Sequence, residues 1–171
     1  MLTRDEIEAA KRSGKLVPAT PTATWSGSPR VFLLSEELQT AIARGRASND
    51  SKDMERWARL EGDIGHFVSG GLVTWQLMKW LDPHKFEHWT LKSKRPKPSL
   101  RVFGRFAMPD VFVGTHVVAR SVLKKKWDIN WELEKLRCEQ IWNECKLGAP
   151  FQAKRYEEYI TENARRELEI K

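Results

Sequence analysis

The alternation in residues 99–120, SLRVFGRFAMPDVFVGTHVVAR, constrains this chain more than any other feature. Leu100, Val102, Gly104 and Phe106 alternate with Arg101, Phe103 and Arg105. After Met108–Pro109–Asp110–Val111, the set Val111, Val113, Thr115, Val117 and Ala119 alternates with Phe112, Gly114, His116 and Val118. Period-two patterning puts one set on a buried sheet face and the other outward, so the stretch reads as a hairpin turning at Pro109 and Asp110. Arg101 then opposes Val118, Phe103 opposes His116, Arg105 opposes Gly114 and Ser99 opposes Arg120, and opposed residues share a face. One face is Leu/Val/Phe-rich. The other gathers Arg101, Arg105, His116 and Arg120 around Phe103 and Phe112, and reads as a candidate site.

The rest of the chain supplies partners for that hairpin. Thr3-x-x-Glu6 opens a short helix over 3–13. LVPATPTATWSGSP, with Pro18, Pro21 and Pro29, reads as an extended linker. Residues 31–34 suit a strand, Ser35 caps a helix that Gly45 closes, and Asp50 or Ser51 caps a longer helix to Phe67, broken at Ser69–Gly70–Gly71. Trp75, Leu77, Met78 and Trp80 suggest a helix over 72–81 ending at Asp82–Pro83, and 86–93 a strand that brings His88 and Lys92 to the arginine face. A helix over 130–146 carries Trp131, Leu136, Cys138, Ile141, Trp142 and Cys145 on its apolar side, and a charged helix follows over 152–168.

The expected fold is therefore α+β: a three- or four-stranded antiparallel sheet with helices packed on one face, plus N- and C-terminal helical additions. It divides into a helix and Pro/Thr/Ser-rich arm (1–29), an α+β core (30–127) and C-terminal helices packed on or extending from it (128–171). A chain of 171 residues can bury roughly 70% of its unfolded surface without a metal or disulfide. Its two cysteines, seven apart on one helix, lie about 10.5 Å from each other, too far to bond. Buried thiols, the absence of a signal-peptide core and the absence of a long apolar run point to a cytoplasmic protein with no membrane span.

Thirty Lys and Arg against 23 Asp and Glu give a net charge of +7. That excess favours polyanionic partners, chiefly nucleic acid, though many basic domains bind nothing. Phosphate-binding glycine loops, CxxC, HExxH and Gly-x-Ser-x-Gly are absent, and His84 and His88 lack a third ligand, so no cofactor or metal is expected. Arg101, Arg120, Lys92, Lys94 and Arg95 could hold phosphate and Phe103 could stack a base, while His116, His88 and Arg105 could move protons and stabilise a phosphorane without a metal. The competing reading is a solvated sheet face, or one covered by the C-terminal helices with the arginines paired to their glutamates.

The order of elements, with LKSKRPKPSLRVFGRF and VFVGTHVVAR, resembles the RelE/ParE/HigB superfamily of toxin–antitoxin toxins over residues 31–123. The resemblance implies two helices on an antiparallel sheet, RNA cleavage at the ribosome as a metal-independent endoribonuclease, and an acidic antitoxin as partner. Minimal toxins have no counterpart to the N- and C-terminal additions, and the tyrosine common near the family's last strand is missing. The alternative is a non-catalytic basic protein, such as an accessory or counter-defence factor of a mobile element, that docks on nucleic acid or a nucleoprotein. The charged C-terminal helix could also drive homo-oligomerisation.

Overall fold

Three side-chain caps start the helices at the positions their sequences indicate. Thr3 Oγ1 accepts from the Glu6 amide at 3.3 Å, and Glu6 Oε2 accepts from the Thr3 amide at 2.6 Å. Ser35 Oγ accepts from the Leu38 amide at 3.2 Å, and Asp50 Oδ1 from the Asp53 amide at 2.8 Å. Each satisfies an amide that the helix itself leaves without a partner.

The computed structural model describes residues 2–21, 27–83, 85, 87–124 and 129–165. His84, Phe86 and parts of the linker and C-terminal segment singled out above lie outside the described residues. In chain order the elements are α1 (Arg4–Arg12), β1 (Leu16–Pro18), β2 (Val31–Ser35), α2 (Glu36–Arg46), α3 (Ser51–Val68), β3 (Val73–Thr74) and β4 (Met78–Trp80). There follow β5 (Trp89–Ser93), β6 (Leu100–Met108), β7 (Val111–Ala119), α4 (Arg120–Leu123), α5 (Ile129–Glu144), α6 (Tyr156–Tyr159) and β8 (Ala164–Arg165).

The main sheet corrects the expected fold class. It has six strands in the order β1-β2-β7-β6-β5-β4, and it is mixed, because β2 runs parallel to β7 while every other pair is antiparallel. Helices also cover both faces. On one side α2 and α3 bring Leu38, Ile42, Leu60, Ile64 and Phe67 onto Phe32, Leu91, Val102, Phe106 and Phe112. On the other, α1 and α5 bring Ile7, Ala10, Trp142 and Cys145 onto Leu16, Leu33, Ala107 and Val113. The N-terminal segment thus joins the body of the protein, with β1 as an edge strand and Leu16 fully buried.

Two further expectations are overturned. Residues 72–81 form β3 and β4 instead of a helix, with the Trp80 indole stacked on Trp89 at 5.3 Å and 6°. In place of the expected charged helix over 152–168, the described residues 152–165 form a strap across the apolar face, containing the single turn α6 and the strand β8, which pairs in parallel with β3. Its buried Tyr156 donates to the Met78 carbonyl at 2.9 Å, and Tyr159 packs on Trp89 at 4.9 Å. Buried Arg30 ties this strap down, donating to the carbonyls of Phe67 (3.0 Å), Gly71 (2.9 Å) and Glu162 (2.6 Å).

The hairpin keeps its expected register at both ends but not in the middle. Phe103 pairs with His116 while Gly104 pairs with Gly114, leaving Thr115 extra in β7. Nearer the turn, Phe106 pairs with Phe112 and Met108 with Val111, leaving Ala107 extra in β6. Each bulge shifts the pairing by one residue and the two cancel. Between them Arg105 opposes Val113 rather than Gly114, and Phe112 crosses to the apolar face, 5.1 Å from both Phe32 and Phe106. Asp110 sits in the turn at φ 61°, a left-handed conformation that Asp and Asn adopt more readily than most residues.

Candidate functional site

The face expected to carry chemistry lies beneath α5. Phe103 is fully buried, its ring parallel to the His116 imidazole (5.1 Å, 12°) and tilted against Trp131 (5.8 Å). Arg105 is buried with its guanidinium 5.7 Å from the Trp142 ring centroid. His88 is buried between Asp82, 3.2 Å from Nδ1, and Glu139, 3.1 Å from Nε2. Lys135 of α5 extends this chain, its Nζ 2.9 Å from Asp82 and 2.8 Å from Glu132. Burial would raise the Asp82 carboxyl, but hydrogen bonds from His88 and Lys135 outweigh it and hold the group below its ordinary value.

His116 is held as tightly. Thr115 Oγ1 donates its one proton to the Phe103 carbonyl at 3.0 Å, so toward His116 Nδ1, also at 3.0 Å, it can only accept. Nδ1 therefore carries a proton, and one further proton bridges Nε2 and Glu134 Oε2 at 2.8 Å. Burial pushes His116 down to about 4 and raises Glu134, disfavouring the charged form of each. Cys138, beside Thr115, is fully buried and pushed up to about 11, chiefly by that burial, so it stays a thiol. These groups are buried where α5 packs on the sheet.

The open chemistry lies at the far end of the hairpin. Arg101 Nη1 donates to the Leu100 carbonyl at 2.9 Å and to Ser99 Oγ at 3.2 Å. Arg120, paired through its amide with the Ser99 carbonyl at 2.7 Å, donates to the Lys124 carbonyl and lies 5.7 Å from the Trp131 ring centroid. Beside them a cleft of about 610 Å³ is lined by Lys97, Pro98, Ser99, Arg120, Ser121 and Lys124. Among the described residues no ion pair reaches Arg101, Arg120, Lys97 or Lys124, although thirteen such pairs form elsewhere. Burial, and then the adjacent Arg120 charge, push Arg101 down to about 10.

The nine residues singled out by sequence thus fall into three groups. His116, His88, Arg105 and Phe103 lie under α5. Arg101 and Arg120 come together at the cationic end. Lys92, Lys94 and Arg95 line a separate groove of about 660 Å³ with Glu55 and Asp63, where Lys92 donates to the Trp75 carbonyl at 2.7 Å and Lys94 to Gln76. The cationic cleft adds Lys97 and Lys124. The run Lys94–Arg95–Pro96–Lys97–Pro98 carried a signal for the first, and the triple lysine beginning at Lys124 carried one for the second.

Among the described residues no group of three or more His, Cys, Asp or Glu is placed to hold a metal ion, and no helix is long and apolar enough to cross a membrane. Compared with protein-family models, with curated proteins and with solved structures, the chain matches none.

Proposed function

We propose that this chain is a nucleic-acid-binding protein that holds a strand by its phosphates at Arg101, Arg120, Lys97 and Lys124 and does not cleave it. The observation that carries this reading is the Arg101–Arg120 pair. Two neighbouring guanidinium groups, one of them pushed down to about 10, lie with no described carboxylate to offset their repulsion. Such an arrangement costs stability in the free protein and is relieved by an anion. The net charge of +7 agrees with a polyanionic partner.

The RelE-like reading, in which the same protein cuts RNA, needs His116, His88 and Arg105 to reach a 2′-hydroxyl and its phosphate. Their burial beneath α5, each histidine bonded to carboxylates, weighs against it.

Fluorescence anisotropy with a labelled single-stranded RNA tests the proposal. Binding should weaken as salt rises, and Arg101→Gln/Arg120→Gln should flatten the log–log salt slope by about 1.4, from two phosphate contacts at about 0.7 each. The RNA should remain intact, and His116→Gln should bind as the unmutated protein does. Absence of binding at low salt, or an unchanged slope in the double variant, would refute the reading. Cleaved ends that vanish in His116→Gln would favour the ribonuclease.

A further inference from the structure

Trp131 joins the cationic end to a second cavity. With Arg120 5.7 Å from its ring centroid, the same indole lines a recess of about 230 Å³ together with Trp75, Trp80 and Leu81, and Lys79 and Glu132 also border it. This is below the roughly 300–1,000 Å³ of a site for a drug-sized molecule, and suits a single planar ring system between flat walls. The recess therefore offers aromatic surfaces, the ammonium groups of Lys79 and Lys135 and the Glu132 carboxylate that Lys135 pairs with, within one indole of the uncompensated arginines.

We propose that this recess takes one unpaired nucleobase of the strand whose phosphates rest on Arg101 and Arg120. The inference rests on the phosphate-binding reading above and adds to it the class of strand. A duplex keeps its bases stacked inside, so only a single strand, a loop or an extruded nucleotide can present a base to tryptophan walls. The base stacks against the indoles. Neighbouring phosphates lie across Trp131 on the cationic cleft.

The test compares three labelled RNAs of equal length against the full chain: a single strand, the same strand with abasic positions, and a duplex. The base-bearing single strand should bind about 5- to 100-fold more tightly than the abasic one, the range that stacking on an aromatic side chain supplies, and should quench tryptophan fluorescence. Leu81→Trp, which fills the recess, should lower the base-bearing affinity to the abasic level while leaving abasic binding unchanged. Should that variant fail to fold, the abasic comparison still decides. Equal affinity for base-bearing and abasic strands, without quenching, overturns the base site and leaves the phosphate reading standing. Tighter binding to the duplex likewise overturns it, and failure of all three RNAs to bind overturns both.

Discussion

Nε2 of His116 and Oε2 of Glu134 meet at 2.8 Å where α5 docks on β7, and both groups are shifted toward their neutral forms. The folded protein holds His116 down at about 4, whereas the unfolded chain protonates it below about 6.5. Stability therefore falls as pH drops from about 6.5 to about 4, and this contribution levels off below. Glu134 acts in the opposite sense. Its raised folded value means its cost sets in as pH climbs through the ordinary carboxylate range and is complete above the folded value. Between about pH 6.5 and 4.5 the His116 contribution is a loss on the order of 2 kcal/mol. Urea midpoints of the unmutated protein and His116→Gln across that range should diverge by about this amount, and parallel curves would place the acid sensitivity elsewhere.

Arg30 is the one donor shared by the Phe67, Gly71 and Glu162 carbonyls, and burial weakens its hold on its own proton, an effect that Asp110 opposes without cancelling. Arg30→Met would take this donor from the Gly71 and Glu162 carbonyls, the Phe67 carbonyl keeping the Gly70 amide at 3.2 Å, and release the C-terminal strap from the sheet. A loss of about 3 kcal/mol or more is expected in chemical denaturation. Limited proteolysis should then cut first after residue 150; uniform resistance there would mean the strap is held by its aromatic residues alone.

Gly45 lies inside α2, which continues to Arg46 instead of ending at the glycine. A Cβ at this position would collide with the Trp57 ring, so the glycine lets α3 approach α2. Gly45→Ala should cost about 1–3 kcal/mol, the usual range for forcing a methyl group into a packed contact. At Gly62, in α3, an added methyl group would meet nothing within 4 Å. Gly62→Ala should therefore stabilise by about 0.4–1 kcal/mol. Thermal melts of the two variants should move in opposite directions.

Arg101 carries a charge that the free protein holds at a cost. Arg101→Met keeps the aliphatic stem and removes the repulsion with Arg120, so stability should stay level or rise by about 1 kcal/mol while RNA affinity falls. A variant that loses both together would mark Arg101 as a structural residue.

The caps at Thr3, Ser35 and Asp50, the four longest helices and the hairpin outside its two bulges were legible because each depends on residues a few positions apart. Period-two alternation and an N-cap hydrogen bond are local, and no distant partner is needed to read them. The cationic end was half legible, since Arg101 and Arg120 fall on one hairpin but Lys124 reaches them only through the turn of α4. Other features depended on contacts between distant segments. The parallel contact of β2 with β7 joins residues 31–34 to 111–114, and the Trp-rich run at 72–81 became strands because β5 offered a pairing edge to β4 and β8 one to β3. On α5 the pattern misled most. Lys135 turns inward and Glu134 and Glu139 turn toward buried histidines, while Leu133 and Leu136 remain 54% and 61% exposed. A charged residue buried against a partner reads the same in one dimension as one left in water, so sequence determined the hairpin and the pairing of its two ends, and only the tertiary structure decided that Phe112 and Val113 exchange faces and that a helix closes the side carrying His116.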